Sequence, residues 1–381
     1  MFMASTTYMF LGNVDFSMRV LYLINAGIMG GRERHVMTLV KSLPKEIEYC
    51  ICAVSAGEAT DRMFTEGLNV RVLGGRNGHD WRIVPRFIRL MWEFRPDIVH
   101  AHSMPFLAAV VLRFYPRVPV VKSIHGTTVS GEEWKERRKS PAWKMKGILQ
   151  KILQRKADYY LPVSMSTWNE FKSVNPDAKG EVFFNALKLE GLPEAEHDNF
   201  RRKKVVGMVG RNADQKDWPL FCKVARSVLA KRSDIEFWGV GADSFWAKEK
   251  CGEDSCCVKW FGSRQDAREL IARMDIFLMT SKHEQLPTTL LEAFYIGVPV
   301  VGVLPEGGTR EVLALSTKTS ALLLPERDCE KVAAAIVRII DDPKARADMV
   351  GVGKGIVMKH FDMEKLCATQ LMGIYRGLIK E

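Results

Sequence analysis

Long apolar runs are missing from this 381-residue chain. No stretch approaches the 18 consecutive apolar residues of a membrane-spanning helix, so no spanning helix is expected. The first residues, "MFMASTTYMFLGNVDFSM", lack a positively charged n-region and make a poor signal peptide. They read as an N-terminal extension, 1–18. The eight cysteines include no CxxC pair and no Cys/His metal spacing, so a reduced cytoplasmic protein without structural zinc is expected. Internal repeats and low-complexity segments are absent. With 47% hydrophobic and 27% charged residues, the composition excludes a disordered chain and supplies two cores. Acidic residues are the scarcer charge, 45 against 56 Lys and Arg, which leaves a net +11.

That excess is concentrated. "WKERRKSPAWKMKGILQKILQRK", residues 134–156, holds nine Lys/Arg and one Glu, a net of +8. Within it Trp143, Ile148, Leu149, Ile152 and Leu153 recur at roughly helical spacing. A basic amphipathic helix of this kind suits an anionic membrane surface or another anionic ligand. A solvated helix packing its apolar face on the core fits equally well. Nucleic acid is not expected as a partner.

The rest of the first half alternates strand and helix. "MRVLYLINAG" (18–27) is a buried parallel strand, and Val36, Leu39, Val40 and Leu43 then mark a helix face. Further strands are expected at 49–55, 69–73, 97–103, 118–126 and 157–164. Residues 186–203 lose the pattern and read as a linker. The alternation restarts with strands at 204–211, 235–241, 257–262, 275–281, 298–303 and 321–325, and two or three helices fill 330–380. Two successive βα runs imply an α/β fold of two doubly wound, Rossmann-like domains facing a central cleft. The expected boundaries are 19–190 and 191–361, with a C-terminal helix, 362–381, packing back on the first domain. Ligands of such sheets lie beyond the carboxyl ends of the strands.

At one such end stands "SKHEQLPTTLLEAF", residues 281–294. Glu284 falls in the strand-to-helix loop. Pro287 suits a first helical position, and Gly297 suits the helix end. The amides of Thr288, Thr289 and Leu290 then form an N-terminal anion site. Glu292, among Leu290, Leu291, Ala293 and Phe294, needs a partner to justify a carboxylate in apolar company. It could accept hydrogen bonds from vicinal hydroxyls, or it could simply pair with a nearby Lys or Arg.

The eight-residue separation of Glu284 and Glu292, with Pro287 between and "EAFYIGVPVV" after, resembles the E-x7-E motif of retaining glycosyltransferase family 4, which has the GT-B fold. "GGRERH" (30–35), "RPDIVHAHS" (95–103), "IHGT" (124–127), "VGR" with Lys216, "WFGS" (260–263) and "GGTREV" (307–312) resemble further signatures of that family in its order. The resemblance spans roughly residues 19–325. It implies that Glu284 binds hydroxyls of the donor sugar and Glu292 those of the ribose. It implies that Arg211 and Lys216 neutralise the diphosphate, and that Gly30 and Gly31 let donor or acceptor approach the backbone. It places His125 by the reacting carbon. The donor-binding set is Gly30, Gly31, Arg211, Lys216, Gly262, Glu284, Pro287, Thr288, Thr289, Leu290 and Glu292. The catalytic set is His125, Glu284, Arg211 and Lys216. From the residues themselves, Arg211 ends a buried strand, where a charge needs a reason. His125 could equally be a satisfied histidine at a strand end. His100 and His102 alternate within one strand and fit a packed face. The family commonly has glycine after the first glutamate; here Gln285 stands there. No Asp-x-Asp pair accompanies the motif, so no metal and no cofactor are expected beyond the nucleotide-sugar co-substrate.

The sequence therefore predicts a retaining glycosyltransferase. It would move a sugar from a nucleotide-diphosphate sugar, UDP-linked by expectation, to a hydroxyl of a glycan or lipid-linked saccharide in polysaccharide synthesis. It would be cytoplasmic, with peripheral contact to an anionic membrane through 134–156. Rival readings are a sugar-nucleotide epimerase or phosphorylase of the same fold and an NAD-dependent dehydrogenase. Against the last, "GIMGGRE" (27–33) is not G-x-G-x-x-G, and the next strand ends in Ser55 and Ala56 rather than an acidic residue.

Overall fold

A computed structural model describes residues 17–76, 80–103, 105–126, 157–196, 203–303, 306–317, 323–324 and 326–380. Most of the N-terminal extension and the whole basic segment 134–156 lie outside the described residues. The first domain runs β1 (Met18–Ile24), α1 (Gly31–Lys41), β2 (Ile47–Ala53), α2 (Glu58–Thr65), β3 (Val70–Val72), α3 (Val84–Phe94), β4 (Ile98–Ala101), α4 (Pro105–Phe114), β5 (Val120–Ile124), β6 (Tyr159–Pro162) and α5 (Met165–Val174). Its sheet has the order β3-β2-β1-β4-β5-β6, and every neighbouring pair is parallel.

The second domain runs β7 (Lys204–Val209), a 3-10 turn (Asp214–Lys216), α6 (Trp218–Leu229), β8 (Ile235–Val240), α7 (Ser244–Cys251), β9 (Val258–Trp260), α8 (Ala267–Ala272), β10 (Ile276–Met279), β11 (His283–Glu284), α9 (Thr288–Ile296), β12 (Val300–Val303), β13 (Glu306–Gly307), α10 (Gly308–Leu313) and β14 (Leu323–Leu324). The order is β14-β12-β10-β7-β8-β9, again parallel throughout. Numbered within its own domain, this sheet repeats the topology of the first. Each has its switch point between the first strand and the fourth, β1/β4 and β7/β10, where helices leave to opposite faces and a crevice opens. The strands are apolar runs because both faces are covered: β1 and β10 are almost wholly buried.

The chain ends in α11 (Cys329–Asp341), α12 (Pro343–His360), α13 (Met363–Leu366), a π-helical turn (Cys367–Leu371) and α14 (Met372–Lys380). The last of these belongs to the first domain's core. Leu187 bridges Asp362, and Cys367, Leu371 and Tyr375 share one apolar cluster with Val20, Tyr22 and Leu39. The buried Tyr375 hydroxyl meets the Tyr22 hydroxyl at 3.1 Å and His100 Nδ1 at 2.6 Å. None of the described helices is long and apolar enough to cross a membrane. All eight cysteines are unpaired.

Tyr375→Phe keeps the ring and strands the buried His100 Nδ1. Denaturant unfolding should show a loss of about 1–3 kcal/mol. A change below about 0.5 kcal/mol would mean that the hydroxyl does not tie α14 to β4.

Candidate active site

The second domain builds its wall from two loops at its switch point. The loop after β7 carries Lys216, and the loop after β10 carries Glu284. Lys216 Nζ donates to Glu284 Oε1, and both side chains are nearly buried, 13% and 12% exposed. Neither charge would be stable there alone. The backbone is arranged to permit the contact. The lysine methylenes lie over Gly210, where a Cβ would stand 3.0 Å from them. Residue 307 holds the glutamate loop through a parallel pairing with Glu284, and a Cβ there would lie 2.3 Å from the Glu284 carbonyl oxygen. Gly307 has φ +73°, a second reason for glycine.

A guanidinium ties the two loops together. Arg327 donates to the Asp217 carboxylate at 2.6 Å, to the Val303 carbonyl at 3.1 Å, and to the Thr280 carbonyl. Thr280 Oγ1 in turn reaches the carbonyls of Lys216 (2.9 Å) and Asp217 (3.1 Å). Lys282 N donates to Gln215 O at 2.9 Å, and the Gln215 side chain returns a bond to His283 O. Sequence reasoning missed Asp217, Thr280 and Arg327. Their partners are mostly backbone carbonyls, which no residue pattern identifies.

The helix α9 begins at Thr288, with Pro287 as its extended N-cap at ψ 123° rather than its first helical residue. The Leu290 amide turns back to Pro287 O at 3.2 Å. Leu290 is therefore removed from the expected trio of anion-binding amides, and Thr288 and Thr289 remain at the helix mouth. Gly297 ends the helix in the left-handed region, as expected. Glu292 does have the basic partner that its surroundings demand: Arg268 Nε lies 2.8 Å from its Oε1. The arginine is about half exposed, whereas the Glu292 side chain is itself nearly buried. Gly262 follows β9 with φ +65° and open space where a side chain would stand.

Arg211 departs from its expected setting. It does not end the buried strand: β7 stops at Val209, and Arg211 is exposed two residues beyond it. Its carbonyl accepts from Trp218 Nε1 at 3.2 Å, which fixes the backbone there.

The first domain contributes α1 and a group of histidines. Gly30 is the extended N-cap of α1 and Gly31 its first residue; a Cβ at Gly30 would meet the Glu33 carboxylate at 2.9 Å. His125 follows β5 at the cleft edge, and its Nε2 lies 2.9 Å from His102 Nδ1. His35 sits 4.9 Å from His125, centroid to centroid, and His100 stacks on His102 at 4.3 Å. His100 and His102 do share a packed face, and His102 also buttresses His125. Burial pushes His35 down to about 4 and His100 to about 3. Burial and the neighbouring rings hold His102 and His125 well below the ordinary range. All four are neutral at physiological pH.

The two walls touch. Gln285, in the place where glycine was the comparison, reaches across the cleft: Thr167 Oγ1 donates to its Oε1, and its Cγ packs against Gly126. Its Nε2 meets His283 Nε2 at 2.8 Å. Asn185 Nδ2 donates to Leu286 O at 3.0 Å. The Glu311 carboxylate accepts from the amides of Met165 (2.9 Å) and Ser166 at the start of α5. The glutamate loop is thus held against the first domain, with His125 and Gly126 beside it.

Comparison with known proteins agrees with this geometry. Residues 29–190 match the family model described as Glycosyltransferase Family 4, and residues 203–342 match that of Glycosyl transferases group 1. Each half of the chain therefore matches a glycosyltransferase family model. The lipopolysaccharide core biosynthesis glycosyltransferase LpsE of Rhizobium meliloti is 29% identical over 114 residues, 30% of this chain and 33% of that protein. The aligned stretch thus spans only about a third of that relative. The 2-deoxystreptamine N-acetyl-D-glucosaminyltransferase of Streptomyces fradiae is 24% identical over 375 residues, 84% of each chain. The solved structure of Anabaena HepE with UDP-glucose superposes with a TM-score of 0.76 at 18% identity, over 94% of this chain and 100% of that one. The fold is GT-B.

Replacing Arg327 with Ala should strip three bonds from the loops that carry Lys216 and Glu284. The expected loss is about 1–3 kcal/mol in denaturant unfolding. A variant as stable as the parent would show that these loops hold their shape without the guanidinium.

Proposed function

We propose that this chain, with a glycosyltransferase family domain in each half, is a retaining, metal-independent glycosyltransferase. It moves a hexose from a nucleotide-diphosphate sugar, UDP-linked, to a hydroxyl of a glycan or lipid-linked saccharide during cell-surface polysaccharide synthesis. The observation that carries the proposal is the lysine–glutamate contact at the second switch point, opposite a neutral histidine. A cation for a leaving diphosphate and a carboxylate for sugar hydroxyls stand side by side. The UDP-glucose bound by HepE and the lipopolysaccharide role named for LpsE support the donor and acceptor classes.

In this reading the diphosphate enters between Lys216, Arg211 and the amides of Thr288 and Thr289. Glu292 accepts the ribose hydroxyls, with Arg268 holding its carboxylate in place. Glu284 accepts hydrogen bonds from the sugar and orients its ring. The bond from C1 to the diphosphate oxygen breaks as the acceptor oxygen bonds to C1 on the same face. The acceptor proton passes to the departing phosphate oxygen, and the products are a glycoside and a nucleoside diphosphate. Charge grows on the diphosphate as the bond breaks, and fixed cations and amides stabilise it more there than in the ground state. His125, neutral, donates or accepts a hydrogen bond beside C1 without changing charge. Gly30 and Gly31 leave the start of α1 open to the diphosphate or the acceptor.

Transfer should persist in chelator, and Arg211→Ala should lower kcat/KM by roughly 100-fold or more, the size of one lost preorganised donor. Chelator-abolished activity that magnesium or manganese restores would contradict the metal-free reading. NMR of the product should show the donor's anomeric configuration retained.

The two glutamates should fail differently in calorimetry. Glu292→Gln should weaken free nucleoside diphosphate by about 1.5–3 kcal/mol. Glu284→Gln should leave that affinity nearly unchanged and cut turnover, because its bonds position the ring. If Glu292→Gln only lowers the melting temperature, Glu292 is simply the partner of Arg268.

A further inference from the structure

Three histidines distant in sequence meet at the carboxyl ends of the first sheet: His35 on α1, His102 after β4 and His125 after β5. One ring nitrogen of each lies within 4.8 Å of those of the other two. Two of the rings carry a buried nitrogen without a hydrogen-bond partner, His35 Nε2 and His102 Nε2, and both residues are over nine-tenths buried. Unpaired buried polar atoms are rare and call for a reason.

The protons can be assigned from the surrounding bonds. Asn185 Nδ2 donates to Leu286 O, which fixes the amide orientation and turns Oδ1 toward His35 Nδ1 at 2.7 Å. His35 Nδ1 therefore carries the proton, and its Nε2 is a bare lone pair. Between His102 Nδ1 and His125 Nε2 one proton is shared. With that proton on His102 Nδ1, both His102 Nε2 and His125 Nε2 hold lone pairs. One consistent set of tautomers thus leaves each of the three rings a nitrogen lone pair, within a group where one ring nitrogen of each histidine lies within 4.8 Å of the others. His100 is excluded from the group because both its nitrogens are engaged, by the Tyr375 hydroxyl and by Ser123 Oγ at 2.8 Å.

We propose that His35, His102 and His125 form a binding site for one transition-metal ion of the imidazole-preferring class, with zinc(II) the principal candidate. Three neutral imidazoles with a fourth position open to the cleft make a familiar zinc donor set. The Asn185 bond to His35 Nδ1 is the outer-shell contact that orients such a ligand. Tetrahedral zinc at about 2.0–2.1 Å places its nitrogens about 3.4 Å apart, so the rings must draw together. His125, less deeply buried than His35 and His102, is the ring that must swing, and doing so breaks its bond to His102. Arg32 lies near His102 and His125 and opposes a cation, which favours moderate affinity. This site is separate from the diphosphate site around Lys216, and metal binding does not depend on the glycosyl-transfer reading. If that reading holds, an occupied site withdraws His125 and inhibits transfer.

The test uses the full chain, stripped with chelator and titrated with zinc(II) and cobalt(II). One ion per chain should bind at micromolar concentration or below. Cobalt should give visible bands without a thiolate charge-transfer band in the near ultraviolet. His35→Gln and His125→Gln should each weaken binding about 10–100-fold, and Cys256→Ser should leave it unchanged. Should His35→Gln not melt cooperatively, His125→Gln decides. The proposal is overturned by absence of binding at micromolar metal, by a thiolate band, or by a folded histidine variant that binds like the parent.

Discussion

The cleft depends on one ion pair, Lys216 with Glu284. Each is a nearly buried charge made tolerable by the other, and each comes from a loop on a different side of a switch point. The second domain has few other ways to keep both charges facing a crevice. In the function proposed above, a diphosphate would offer Lys216 a stronger anionic partner, and sugar hydroxyls would offer Glu284 new donors. The pair therefore holds the two loops in register. Arg327, Thr280 and Gln215 keep the two loops from drifting apart, and Gly210 and Gly307 let backbone and side chain come close enough.

The second constraint is the contact between domains. Gln285 bridges the glutamate loop to Thr167 and Gly126, and Glu311 caps α5 from the other side of the cleft. Asn185 joins His35 to the Leu286 carbonyl, so the histidine group and the glutamate loop share one amide side chain. Glycine at position 285 could make none of these side-chain contacts. Gln285, standing where the resembled family commonly has glycine, thus has a structural consequence: it ties the glutamate loop to the first domain beside His125.

Much of this was legible in the sequence. Parallel strands read as apolar runs because both faces are covered, so β1, β5, β7 and β10 were visible, and Gly297 marked the end of α9. The rule that ligands gather at strand carboxyl ends pointed to the loops after β7 and β10, where Lys216 and Glu284 do meet. What was hidden had no local signal. Arg327 acts through carbonyls. The Pro287 turn consumes the Leu290 amide in a tight first turn. Arg211 was placed in a strand because the apolar run gives no hint that pairing stops at Val209. The histidine group joins residues 35, 102 and 125, a separation that no metal-ligand spacing covers.

The central claim is that the pair at the second switch point is a diphosphate site. Calorimetric titration of UDP, GDP, ADP and dTDP into metal-free protein, parent and Lys216→Met, tests it most directly. The account predicts that at least one diphosphate, UDP first, binds the parent in chelator and binds Lys216→Met at least about tenfold more weakly, the loss of one charge-assisted bond. Binding of none of the four, or equal affinity in the two proteins, would contradict it.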